Sequence, residues 1–122
     1  MTNTSTVRKI NDWAPEVRSL LKALVSAGCT LVSGDNGEEE FLFKAAGLEA
    51  FIENLIACDE SRLYVKTPAS GEEVLWLYLV LGNSPGELVC DYIFDGVIDT
   101  VVNAEADKWE SRKQPTKLVS RA

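Results

Sequence analysis

The side chains of this 122-residue sequence that could do chemistry are mostly carboxylates: nineteen Asp and Glu against twelve Lys and Arg, with no histidine. The missing imidazole removes the Ser-His-Asp and Cys-His nucleophile arrangements. It also removes the usual general base near neutral pH and every zinc site that needs a ring nitrogen. Gly82-Asn83-Ser84-Pro85-Gly86 does spell Gly-x-Ser-x-Gly, the turn that presents a hydrolase serine. That turn needs a strand before it, a helix after it and a base to take the proton. Here Pro85-Gly86 leads into another strand pattern, and the nearest basic residues in sequence are Lys66 and Lys108. The motif reads as a hairpin turn.

The carboxylates gather in two places. Asp35-Asn36-Gly37-Glu38-Glu39-Glu40 holds four in six positions. A calcium loop of the EF-hand type needs a bidentate glutamate six residues after its glycine, where this sequence has Phe43. The run therefore reads as a solvated hairpin tip able to steer a basic partner. Asp91, Asp95 and Asp99 are spaced by four. Carboxylate pairs do acid–base work when their surroundings split their pKa values. Asp91 falls on a strand pattern, where Val89 and Ile93 should share its face, while Asp99 falls on a helix. Asp91 reads first as an aspartate on the open face or sheet edge, then as a buried structural carboxylate, and last as a catalytic acid. Cys29, Cys58 and Cys90 are odd in number and contain no Cys-x-x-Cys pair. They read as small buried hydrophobes in a reducing compartment. No catalytic residue, cofactor or metal site is expected.

The elements that must position these groups follow from hydrophobic period. Val17, Leu20, Leu21, Leu24 and Val25 recur at helical spacing after Pro15, which suits a first turn, and Gly28 ends the helix. Strand patterns over 29–33 and 40–45 flank Asn36-Gly37 as a β-hairpin, with Phe41 and Phe43 alternating against Glu40 and Lys44. Leu48, Phe51, Ile52, Leu55 and Ile56 make a second helix. Strands follow over 62–67, 74–82 and 87–94. A third helix covers about 97–110, with Asp95 or Asp99 near its start. The order α-β-β-α-β-β-β-α predicts the α+β class: a mostly antiparallel five-stranded sheet with helices packed mainly on one face. Residues 1–12 read as a flexible arm, 13–110 as a single acidic domain and 111–122 as a basic tail.

One strand is apolar on both sides. Leu75, Leu77, Leu79 and Leu81 point one way, and Val74, Trp76, Tyr78 and Val80 the other. If the leucines meet the helices, then Trp76 and Tyr78, with neighbouring Tyr64, lie on the second face. There they are covered by another segment, or they anchor a partner or a homodimer seam.

Charge narrows the partner. The net charge is −7, and residues 13–110 carry eighteen acids and six bases, a net of −12. Such a body repels nucleic acid and anionic membranes. The polar N-terminus has no apolar signal region. The longest apolar run, residues 74–81, is far short of the roughly twenty needed to span a bilayer. A cytoplasmic location is expected.

The run Trp76-Leu77-Tyr78-Leu79-Val80-Leu81-Gly82-Asn83, followed by Glu87 and Asp91-Tyr92, resembles short bacterial and phage proteins. These carry Trp-x-x-x-Val-x-Gly-Asn, an acidic residue and an Asp-Tyr pair before a terminal helix. Asp35-Asn36-Gly37-Glu38-Glu39 is similar to the acidic hairpin many of them have upstream. The resemblance spans about residues 20–110 and implies an accessory protein of a bacterium, phage or mobile element, with no activity attached.

The leading expectation is a small, non-enzymatic, acidic protein–protein interaction module. Its partner-binding residues are Trp76, Tyr78, Tyr64, Asp35, Glu38, Glu39, Glu40 and Asp91, and its partner has a basic surface. One alternative is an inhibitor of a host nucleic-acid-binding machine whose carboxylates replace phosphates. Another is an enzyme using Asp91 with Lys66 or a cysteine.

Overall fold

The computed structural model describes residues 2–81 and 86–113, with side chains over 13–81 and 86–111. Gly82, Asn83, Ser84 and Pro85 of the Gly-x-Ser-x-Gly run, and the basic segment after Lys113, lie outside the described residues. In chain order the elements are α1 (Thr2–Ser26), β1 (Thr30–Asp35), β2 (Glu40–Leu42), α2 (Phe43–Ala46) and α3 (Leu48–Leu55). These are followed by β3 (Glu60–Lys66), β4 (Leu75–Val80), β5 (Val89–Tyr92) and α4 (Gly96–Lys113). The five strands form one antiparallel sheet in the order β2-β1-β3-β4-β5. This is the α+β arrangement anticipated from the sequence.

One face of the sheet carries the core. Leu63 and Val65 of β3 and Leu75, Leu77 and Leu79 of β4 are buried, while the residues between them stay half-buried or exposed. Alternate side chains point to opposite faces, so among the described residues only one face is covered. The cover comes from Val17, Leu20, Leu21 and Leu24 of α1, Phe51, Ile52 and Leu55 of α3, and Ile98 and Val101 of α4. Each set recurs at three- and four-residue intervals, the apolar stripe of a helix lying on a core.

Four expectations change. The helix expected to start at Pro15 begins at Thr2, so residues 2–12 are helical rather than a loose arm, with Pro15 inside the helix. Trp13 is buried with Val17 and holds the preceding turn to the core, which offsets the backbone hydrogen bond that a proline forgoes. The strand expected over 40–45 stops at Leu42, where the chain curls into α2. The turn lets Phe43 join Phe41 on the Phe51 ring, at centroid distances of 5.3 and 5.2 Å, both edge-on. Helix α4 extends to Lys113, taking 111–113 out of the expected tail.

The fourth change concerns Asp91. Strands β4 and β5 pair Leu77 with Tyr92 and Tyr78 with Asp91, but Leu79 with Val89, which leaves Cys90 as an extra residue. Such a bulge reverses the alternation beyond it. Asp91 therefore does not share a face with Val89: it stands exposed opposite Tyr78 on the uncovered side, the open-face placement expected of it, while Val89 and Tyr92 turn towards the core.

Candidate functional site: the uncovered face of the sheet

Strand register sets the site. Asp35 pairs with Glu40 on one side and Arg62 on the other, Arg62 pairs with Tyr78, and Tyr78 with Asp91. The row Glu40, Asp35, Arg62, Tyr78, Asp91 thus crosses all five strands on the uncovered face. The adjacent row runs Leu42, Ser33, Tyr64, Trp76. Glu60, two residues from Arg62 and opposite Val80, completes the other flank. Six of the eight residues expected to bind a partner are brought together here: Asp35, Glu40, Tyr64, Trp76, Tyr78 and Asp91. Glu38 and Glu39 stand exposed on the β1–β2 loop at the end of the row.

The centre of the face is a cation on aromatic rings. The Arg62 guanidinium lies 5.8 Å from the Trp76 ring centroid and 5.6 Å from that of Tyr78. The Tyr78 hydroxyl donates to Glu60 Oε1 at 2.5 Å. That bond, with the carboxylate charge behind it, pushes the Tyr78 phenol above its ordinary pKa. A shallow depression of about 220 Å³ runs beside these groups, lined by Asp35, Gly37, Glu60, Ser61, Arg62 and Tyr78.

The acidic tip is held in place by a residue that sequence reasoning passed over. Asn36 is buried; its Oδ1 accepts from the backbone N–H groups of Glu38 (2.9 Å) and Glu39 (3.0 Å), and its Nδ2 donates to the carbonyl of Asn54 (3.1 Å). Asp35 Oδ1 accepts from the Gly37 N–H at 2.8 Å. Asx turns of this kind fix a loop without strand pairing. The Asn36-Gly37 pair marked a turn; its tie to the end of α3 could not be read from local sequence.

Asp91, Asp95 and Asp99 go to separate tasks. Asp91 Oδ1 accepts from the N–H of Tyr92 at 2.8 Å. Asp95 Oδ1 caps α4 through the N–H groups of Val97 (2.9 Å) and Ile98 (3.3 Å), and its Oδ2 accepts from the Thr67 hydroxyl at 2.9 Å. Asp99 accepts from the Tyr92 hydroxyl, which raises the pKa of that phenol. The cysteines are also unlike one another. Cys29 is buried and its thiol is pushed up by burial, as expected of a small core residue. Cys58 is only half-buried, and Cys90 is exposed because the bulge turns it outward.

Two further features went unseen in the sequence. Phe94 is 76% exposed, just beyond β5. On the helical side, α1 and α4 flank a groove of about 500 Å³ lined by Arg18, Lys22, Lys108, Ser19 and the Trp109 ring among others. Arg18 is already paired with Glu49 (2.6 Å), and Lys108 donates to Ser19 Oγ (2.7 Å). Among the described residues, no three Cys, Asp or Glu side chains converge where they could hold a metal ion. Among the same residues, no helix is long and apolar enough to cross a membrane. Compared with protein-family models, with curated proteins and with solved structures, the chain matches none.

Proposed function

We propose that this chain is a small, non-enzymatic interaction module that docks a basic protein surface on the uncovered face of its sheet. One observation carries the reading: strand register gathers Trp76, Tyr78 and Tyr64 with Asp35, Glu40, Glu60 and Asp91 on the single face left bare by the helices. Aromatic side chains supply contact area at small entropy cost, and the surrounding carboxylates select and steer a cationic partner. A second copy fits this face poorly, because a symmetric dimer would set carboxylates against carboxylates around one arginine from each copy. The sheet edges suit strand addition no better. Strand β2 has three residues, and the Asp91 side chain already occupies the Tyr92 N–H of β5. Three unpaired cysteines favour a reducing, cytoplasmic setting, and the motif resemblance favours an accessory role in a bacterium or phage.

The test is affinity capture with the full chain and with a Trp76→Ala/Tyr78→Ala variant, each checked by circular dichroism for an intact fold. Basic proteins should be retained by the wild type and lost from the variant. Retention should fall as salt rises from about 0.1 M to about 1 M, over which the screening length shrinks from about 10 to about 3 Å. Equal capture by a folded variant, or capture indifferent to salt, overturns the proposal.

A further inference from the structure

We infer that the Trp76–Tyr78 platform is a subsite for an arginine side chain of the partner, and that Arg62 occupies this subsite in the isolated chain. The inference rests on the proposed docking face and specifies the chemical group it receives. Arg62 stands between Asp35 and Tyr78 in its row, with Glu60 two residues away on the same strand face. Even so, it forms no ion pair among the described residues, and its guanidinium lies over the two rings. The rings, rather than the carboxylates, are what hold a guanidinium at this place. Arg62 is itself exposed, and Asp35 and Glu60 line the same depression beside it, within the span of strand neighbours. Asp35 Oδ1 and Glu60 Oε1 are engaged by Gly37 and Tyr78, so among the described residues each carboxylate keeps its second oxygen to receive the displaced arginine.

The face also has charge to spare. Asp35, Glu40, Glu60 and Asp91 share the face with Arg62, and the other cation there among the described residues, Lys66, is paired with Glu72 (3.1 Å), so a further cation is attracted rather than repelled once Arg62 has moved to a carboxylate. Arginine suits the rings better than lysine, because its planar guanidinium stacks on an aromatic face and gives up hydration more readily than an ammonium group does. Arg62 then acts as a specificity-determining residue: it keeps the platform covered until a group of its own kind replaces it.

The experiment titrates the full chain with a synthetic arginine-glycine peptide and with its lysine-glycine counterpart. Binding is followed by calorimetry and by the NMR signals of the Arg62 side chain, which neighbouring rings shift upfield. The arginine peptide should bind more tightly than the lysine peptide. Arg62→Ala and Arg62→Gln should each tighten it about fivefold by removing the resident competitor. The Arg62 signals of the wild type should move downfield as the peptide is added. Equal or weaker binding by the Arg62 variants, unmoved Arg62 signals, or equal affinity for the two peptides overturns the subsite while leaving the docking face standing. Absence of binding by the wild type and both variants overturns the face as a receptor for cationic segments, and the subsite with it.

Discussion

Gly34 and Phe41 are directly paired across β1 and β2, and the Phe41 ring occupies the space where any side chain at position 34 would stand. A Cβ on Gly34 would come within 2.6 Å of Phe41 Cε2 and 3.0 Å of Leu55 Cδ2. The short hairpin that carries Asp35 and Glu40 therefore owes its seat to a glycine: Phe41 reaches Phe51 only by lying across the bare backbone.

From this contact, Gly34→Ala should destabilise the protein by about 1–3 kcal/mol, the usual cost of overpacking a filled core. Urea denaturation measures it. Pairing it with Phe41→Leu, which frees the ring's space, should recover part of the loss, so the two changes should be non-additive in a double-mutant cycle.

Asp95 makes a separate prediction, at the start of α4. Asp95→Ala removes the cap on Val97 and Ile98 and the acceptor for the Thr67 hydroxyl, and should cost about 1–2 kcal/mol in thermal or chemical unfolding. Asp95→Asn keeps the capping oxygen and should lose less. Equal losses for the two would mean that the Thr67 contact, rather than the cap, dominates.

Glu16 is buried beside α4, where its Oε2 accepts the Gly86 N–H at 3.2 Å. Burial is the main cause that raises its pKa above the ordinary 4.5, and the charge of Glu105 adds to it. A carboxyl raised on folding contributes stability that is complete below about pH 4.5 and is lost as pH climbs through the folded value. At neutral pH, then, the ionised form is a cost. Glu16→Gln keeps an acceptor for Gly86 without the charge, so it should raise the melting temperature at pH 7 and make no difference below about pH 4.5. Melting curves across that range check the sign.

Tyr78 and Glu60 give a spectroscopic test of the site. The hydrogen bond to Glu60 raises the Tyr78 pKa, so Glu60→Ala should let this phenol ionise at lower pH. The Tyr92 phenol, raised instead by Asp99, should not move. Side-chain NMR of the tyrosines through an alkaline titration separates the two.

Much of the fold was legible because its signals are local. The leucine alternation over 75–81, the helical stripes of Val17–Leu24 and Leu48–Ile56, and the turn at Asn36-Gly37 each depend on neighbours within a few residues. The placing of Trp76 and Tyr78 opposite the leucines followed from the two-residue period of a strand. The face shared by Val89 and Asp91 was misread because a bulge at Cys90 adds one residue, and a shift of one residue exchanges the faces of a strand. Nothing in the run from Val89 to Ile93 marks that insertion; it appears only when β5 is laid against β4.

By itself, then, the sequence determined the α+β class, the placing of the aromatic residues on the strand face opposite the leucines, the acidity of the body and the lack of imidazole chemistry. All are matters of composition or short-range period. Tertiary structure alone decided that Asp35, Arg62, Tyr78 and Asp91 form one row, that Arg62 lies on the rings of Trp76 and Tyr78, and that Glu16 and Asn36 are buried. These facts depend on which strands are neighbours and in what register. Register is settled by the combined packing of residues far apart in the chain, down to the space Phe41 takes over Gly34.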